Sequence, residues 1–239
     1  MKDDTSHKPF PSALQGQLIA SCQAPPGDPM DHSESLARMA ICTVRGGARG
    51  LRANGAEHIA AFRKKLSREP NGEFHVPILG IEKHHGEHGV EITPTFAAAC
   101  RIAAAGADVI ALDCTSRSTH RAEPWPQIVR RIHLELHVSV LADIATLEEG
   151  IAAAEAGVDA VATTMCGYTP ETAHAHGVPY DLITELARWV NVPVIAEGRI
   201  GLPDQARRAL DLGAYAVVVG SAITRPENIA RGFVEAMQI

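Results

Sequence analysis

Two patterns alternate along the chain. Short continuous apolar runs fall at 18–22, 50–52, 76–81, 109–113, 138–143, 160–163, 194–197 and 216–220. Such runs suit parallel strands buried on both faces. Between them, apolar residues recur at helical spacing over 33–44, 56–66, 95–105, 127–136, 147–156, 180–189, 203–212 and 227–237. Ser33 is placed to cap the first helix, and Pro203 falls in the first turn of the seventh. Gly106, Gly157 and Gly213 each follow a helical run and are expected to stop it. A phrase recurs there: Ala105-Gly106-Ala107-Asp108-Val109-Ile110, Ala156-Gly157-Val158-Asp159-Ala160-Val161 and Leu212-Gly213-Ala214-Tyr215-Ala216-Val217. It is one helix-to-strand step, repeated. An open doubly wound sheet uses the same step, but a count of eight favours a closed (β/α)₈ barrel, a TIM barrel.

The length of 239 residues matches one such barrel. The expected organisation is a single domain over 13–239, preceded by a polar, disordered tail over 1–12. The longer loops, at 23–32, 83–94 and 166–179, all follow strands. They therefore lie at the C-terminal face, where barrel active sites are built.

Composition narrows the function classes. Hydrophobic residues make up 46% but aromatics only 4%, so the core is Ala, Val, Ile and Leu. A net charge of −6 with no basic stripe argues against nucleic acid. Arg63-Lys64-Lys65 sits late in a helix, where the dipole favours cations. No apolar run is long enough for a membrane span, and the first residues lack a signal-peptide core. Cys22, Cys42, Cys100, Cys114 and Cys166 show no paired spacing, so inert packing in a reducing compartment is expected. A cytoplasmic protein follows.

Two signals carry chemistry. Gly198-Arg199 and Gly220-Ser221 follow the seventh and eighth strands, where barrels of this kind bind phosphate through backbone N–H groups. Arg225 adds charge nearby. The second signal is polar residues at strand ends: Gln23, Arg52, Lys83, Asp113, Asp143 and Glu197. They converge on one mouth. Lys83 and Glu197 are the candidate acid–base pair, since a lysine near a carboxylate can be tuned toward neutrality. Asp113 fits a structural ion-pair role equally well. The run His84, His85, Glu87, His88 lacks metal-ligand spacing and reads as a solvated, flexible loop, as do His174 and His176.

Several motifs then point one way. Ile195-Ala196-Glu197-Gly198-Arg199-Ile200 and the run from Leu212 to Pro226 resemble the C-terminal signature of N-acetylmannosamine-6-phosphate 2-epimerases. Gly50-Leu51-Arg52-Ala53-Asn54, Gly80-Ile81-Glu82-Lys83, Ile92-Thr93-Pro94-Thr95, Ala111-Leu112-Asp113 and Ala142-Asp143-Ile144-Ala145-Thr146 do the same. The resemblance spans the chain from about Gly16 onward. It implies a ribulose-phosphate-binding type of barrel and epimerisation at C2 of an N-acetylhexosamine 6-phosphate in sialic-acid catabolism. It implies no metal and no organic cofactor. Lys83 and Glu197 match the family's catalytic positions. Gln23, Arg52 and Asp143 match sugar-contacting ones, and Gly198, Arg199, Gly220, Ser221 and Arg225 the phosphate end. The sequence departs from the pattern at Cys166, where Tyr or Ser is expected, and over 70–74 and 84–88, which look longer. Two rivals remain: a Schiff-base lyase using Lys83 and a non-catalytic sugar-phosphate sensor. Barrels often dimerise, so a homodimer is an expectation. Trp125 between Pro124 and Pro126 is either an exposed contact or an aromatic packed under a loop.

Overall fold

The computed structural model describes residues 7–68, 75–86, 89–117 and 123–238. Eight parallel strands close a barrel: β1 (Leu18–Ser21), β2 (Gly50–Asn54), β3 (Ile78–Ile81), β6 (Val109–Asp113), β7 (Ser139–Asp143), β8 (Ala160–Ala162), β9 (Val194–Glu197) and β10 (Ala216–Val219). β10 pairs back onto β1 in register Leu18 to Val217, which leaves the sheet without an edge. The remaining two strands, β4 (Lys83–Gly86) and β5 (Gly89–Ile92), form an antiparallel hairpin above β3. The His-rich segment is thus a hairpin arm as far as it is described, and not a loop. Its Glu87 and His88 lie outside the described residues, as does 70–74.

Helices cover the strands: α1 (Ser33–Arg45), α2 (Ala56–Leu66), α3 (Phe96–Ala104), α4 (Trp125–Arg131), α5 (Leu147–Glu155), α6 (Tyr180–Trp189) and α7 (Pro203–Asp211). Thr146 and Glu149 form a reciprocal capping box on α5. The helix-stopping glycines behave as expected, with Gly106, Gly157 and Gly213 at φ +104°, +89° and +101°. One local expectation fails. His32, rather than Ser33, accepts the Glu34 N–H at the start of α1, because an imidazole nitrogen can cap as an oxygen does. α4 continues as a π-helical turn over Ile132–Leu136, ended by His137 at φ +56°. Trp125 is half-buried against the main core, so it marks no exposed contact.

Two layers of core separate by strand parity. Ile19, Leu79, Ile81, Val109, Ala111, Leu141, Ile195 and Val218 fill the barrel axis. Their neighbours, such as Leu51, Ile78, Ile110, Leu112 and Val140, face the helices. Gly80 lies in the outer layer, where a Cβ would stand 2.7 Å from Ala107 Cβ; only glycine lets the α3 end approach β3 so closely. The base of the barrel is closed by the N-terminal segment. Phe10 is buried against the inner core and meets Tyr215 edge-on, while Lys8 N–H donates to His137 O. The expectation of a disordered tail therefore fails for residues 7–12: their apolar Phe10 has a slot to fill. Residues 1–6 lie outside the described part.

The chain ends with α8 (Ser221–Thr224) and α9 (Pro226–Met237). α8 is an extra turn inserted before the expected last helix. α9 packs against α8 and buries none of its residues. Its Ile229, Phe233, Val234 and Met237 are exposed, Phe233 and Met237 by 70% and 77%.

Candidate active site

Parity along the strands decides what the mouth holds. In β3, Leu79 and Ile81 face the axis, and two residues further stands Lys83. In β9, Ile195 faces inward, and two residues further stands Glu197. In β7 the same step from Leu141 gives Asp143, and in β2 Arg52 lies between outward-facing Leu51 and Ala53. A period of two, carried past the apolar core, thus delivers charged groups to the C-terminal end.

Below the mouth these groups form a buried network. Arg52 is wholly buried and grips Asp143 with two bonds, Nη2 to Oδ2 at 2.6 Å and Nη1 to Oδ1 at 3.0 Å. Its Nη1 also donates to Glu197 Oε2 at 2.6 Å. The Thr164 hydroxyl lies between the two carboxylates, 2.5 Å from Asp143 Oδ1 and 3.2 Å from Glu197 Oε2. One guanidinium therefore serves two carboxylates. Burial would lower the Arg52 pKa, but the two carboxylates outweigh it and hold the group charged. Glu197 bears the excess. Burial raises its pKa above the usual carboxylate range; Asp143 adds to the rise, while Arg52, Thr164 and Lys83 oppose it.

Lys83 is positioned from its backbone. The Asn54 side chain at the end of β2 accepts the Lys83 N–H at 2.9 Å. On the other side Glu82 and Thr93 close the foot of the hairpin, with Thr93 Oγ1 accepting Glu82 N–H. Thr93 is fully buried at φ +47°, a left-handed conformation that turns the chain back toward α3. The Lys83 side chain keeps solvent contact through the open mouth, yet rim atoms crowd it. Desolvation, then the Arg52 charge, lowers its pKa from the ordinary lysine value, and Glu197 and Asp143 pull the other way.

The opposite rim comes from β9, β10 and their loops. Gly198 adopts φ +126°, which a side chain would strain, and Arg199 follows at φ +55°. The Arg199 guanidinium donates from Nε to Gly177 O at 2.6 Å and lies against Gly167 and near the Tyr168 ring. Its Nη2 is buried without a partner. Ser221 opens α8, whose first N–H groups have no intrahelical acceptor. Arg225 is held by Asp28 at 2.6 Å. Gln23 donates to Ser21 Oγ at 2.9 Å, and its own Oε1 is buried and unsatisfied.

Lys83, Glu197, Gln23, Gly198, Arg199, Gly220, Ser221 and Arg225 all line one open cavity of about 1460 Å³. Residues 36–239 match the family described as "Putative N-acetylmannosamine-6-phosphate epimerase". The chain belongs to this family. Among its relatives is a "Putative N-acetylmannosamine-6-phosphate 2-epimerase" of Cutibacterium acnes, 44% identical over 95% of this chain and 96% of that one. One of the same description from Caldanaerobacter subterraneus is 43% identical over 92% and 91%. The solved structure of the N-acetylmannosamine-6-phosphate 2-epimerase from Clostridium perfringens superposes with a TM-score of 0.86 at 38% identity, covering 94% of this chain and 95% of that one. A thiamine phosphate pyrophosphorylase from Pyrococcus furiosus, at 18% identity and a TM-score of 0.61, shares the fold.

The sequence-derived residues sort into two groups against this geometry. Eight meet in the cavity, as stated above. Arg52 and Asp143 do not line it; they lie beneath Glu197 and hold it. Asp113 is also off the cavity, fully buried and bonded by Thr115 and Arg117, which fits its structural reading. Thr164 and Arg117 line the cavity and escaped the sequence reading. Nothing marks Thr164 except its place just after β8, since a threonine among Thr163, Thr164 and Met165 carries no pattern. Of the described histidines near the mouth, His84 bonds Glu82, and His174 and His176 are exposed. Cys42 is exposed, against expectation, whereas burial pushes the Cys22 thiol up to about 12 and raises that of Cys166.

Proposed function

We propose that this barrel interconverts N-acetylmannosamine 6-phosphate and N-acetylglucosamine 6-phosphate by moving the proton at C2, in sialic-acid catabolism. The observation that carries it is one cavity in which Lys83 and Glu197 both face the interior with proton affinities shifted toward each other. Ring opening places the aldehyde at C1, and the C2–H beside it becomes acidic. The Lys83–Glu197 pair removes that proton and returns a solvent-exchangeable one to the opposite face of C2, which inverts the centre with no net gain or loss of atoms. The cationic side chains at the mouth offset the enolate charge that develops between the two steps.

Gly198, Arg199, Gly220, Ser221 and Arg225 hold the phosphate. The partnerless Arg199 Nη2, the Ser221 hydroxyl and the opening N–H groups of α8 are its donors. Gln23 Oε1 accepts a bond from the sugar. Arg52 and Asp143 set the charge and position of Glu197 from below. This remote grip fixes the reacting carbon between the two acid–base groups. No step runs through a metal or an organic cofactor, and chelator-treated protein is expected to keep its rate.

The test is incubation with N-acetylmannosamine 6-phosphate in heavy water. Deuterium at C2 of the product supports the reading; intact binding with no label at C2 overturns it in favour of a sensor. A borohydride-stable adduct at Lys83 would establish the lyase instead. No described helix is long and apolar enough to cross a membrane, and a cytoplasmic location belongs to the same proposal. So does a homodimer, supported by the exposed apolar face of α9 and checked by sedimentation.

A further inference from the structure

At the base of the barrel, opposite the mouth, three ligand-bearing side chains converge. His7 Nε2 lies 2.6 Å from Asp159 Oδ1, and His133 Nε2 lies 2.7 Å from Asp159 Oδ2. The imidazoles stack with centroids 3.6 Å apart and planes 11° from parallel. All three ligand atoms lie within 4.8 Å of one another, and each side chain is half-buried. Asp159 directly precedes β8, so the cluster sits at the N-terminal ends of the strands.

The repeated helix-to-strand step supplies a control within the molecule. Asp108, the matching residue before β6, accepts the first N–H of β3 at Ile78 and is bonded by Arg63 from α2. Asp159 accepts the N–H of Val140 in β7 at 2.7 Å in the same way. One arginine satisfies Asp108, and a guanidinium cannot ligate a metal. At Asp159 that arginine is replaced by two imidazoles, each with a nitrogen able to coordinate. His133 comes from the π-helical turn after α4 and shares Asp159 Oδ2 with the Val140 N–H, while His7 reaches Oδ1 from the N-terminal segment.

We propose that His7, His133 and Asp159 bind one borderline divalent cation of the zinc class, which clips the N-terminal segment to the barrel base. Two imidazoles and a carboxylate suit such an ion, at about 2.0–2.2 Å per bond. Ligands around a tetrahedral ion stand about 3.4 Å apart. The imidazole–carboxylate contacts of 2.6 and 2.7 Å open by about 0.7–0.8 Å to reach this spacing, and one ring turns out of the stack, because rings 3.6 Å apart and 11° from parallel do not both hold one ion in their planes. Bound metal displaces the Nε2 protons to the other ring nitrogen, and water completes the shell. Lys8 N–H to His137 O, Ser139 Oγ to Lys8 O at 2.8 Å, and buried Phe10 hold the segment in place for the ion.

The experiment uses the full chain, stripped with chelator and titrated with ZnCl₂ by equilibrium dialysis and thermal unfolding. The expected result is saturable uptake of about one Zn²⁺ per chain with a rise in Tm. His7→Gln keeps a hydrogen-bond donor for Asp159 but no imidazole. It should leave the metal-free Tm unchanged and abolish both the uptake and the rise. His133→Gln should abolish uptake too. A variant with His84→Ala and His85→Ala should bind as the natural chain does. Absence of saturable uptake, uptake unchanged in His7→Gln, or uptake lost only in the hairpin variant would overturn the proposal.

Discussion

Carboxylates at the two ends of the barrel live under opposite rules. At the base, Asp108 and Asp159 each receive a backbone N–H and at least one side-chain donor. At the mouth, Asp143 and Glu197 divide one guanidinium and one hydroxyl. The contrast extends to the three buried side-chain atoms that lack partners among the described residues. Gln23 Oε1, Arg52 Nε and Arg199 Nη2 all lie on the mouth side. Buried polar groups are normally satisfied, and each unsatisfied one costs about 1–3 kcal/mol. The base spends its hydrogen bonds on rigidity. The mouth keeps two buried carboxylates on one guanidinium together with unsatisfied polar atoms, which is how a site tunes proton affinity and awaits a ligand.

Replacing the acid–base pair breaks this contrast most sharply. Lys83→Ala is expected to lower kcat by about 10²–10⁴ or more while thermal unfolding stays unchanged, because the side chain reaches solvent and bonds nothing it supports. A collapse in Tm with the activity loss would show that Lys83 only closes the rim. Glu197→Gln should lose a similar factor in kcat. Its Tm should hold or rise, since burial already penalises the ionised form. Asp143→Ala is the opposite case. It removes the two-bond partner of a fully buried Arg52 and should cost about 3 kcal/mol in denaturant unfolding.

The pH profile tests the same tuning at intermediate size. Turnover needs one proton shared between Lys83 and Glu197, whichever of them holds it. Either arrangement gives a bell. Its acid limb should lie above the ordinary carboxylate pKa of 4.5 and its alkaline limb below the ordinary lysine value of 10.5. Thr164→Val removes a hydroxyl that favours ionised Glu197, so the acid limb should move to higher pH while the alkaline limb stays. Movement of the acid limb to lower pH would remove Glu197 as its source.

What the sequence disclosed follows from periodicity. The eight barrel strands and the helices between them carry long, regular patterns, and the inward row of each strand projects to the mouth without further information. That is why Lys83, Glu197 and the glycines of β9 and β10 could be named together. What failed depended on contacts between distant segments. The hairpin of β4 and β5 is polar, with pairing decided across its turn and not by apolar alternation. Phe10 looked like part of a tail because its slot is built by residues far along the chain. Arg52 and Asp143 were named with the sugar contacts, and position on a strand end does not say that they also bond one another and Glu197. The network that swallows them is a matter of distances.

The smallest expected effect tests the base alone. Asp159 has its pKa lowered from the carboxylate value of 3.8: burial raises it, but His133, the Val140 N–H and His7 together more than offset that. A depressed folded pKa gives stability that is present above the unfolded pKa and lost as pH falls through the folded one. Asp159→Asn leaves one oxygen for the Val140 N–H but gives up the charge that both imidazoles favour. We expect a loss of about 1–2 kcal/mol in chelator-treated protein at neutral pH, shrinking as pH drops below the carboxylate range. kcat/KM should not change, because the side chain lies at the far end of the strands from Lys83 and Glu197. A fall in kcat/KM at full stability would mean that the two ends are coupled through β7 and β8. The division between a rigid base and a tuned mouth would then be too simple.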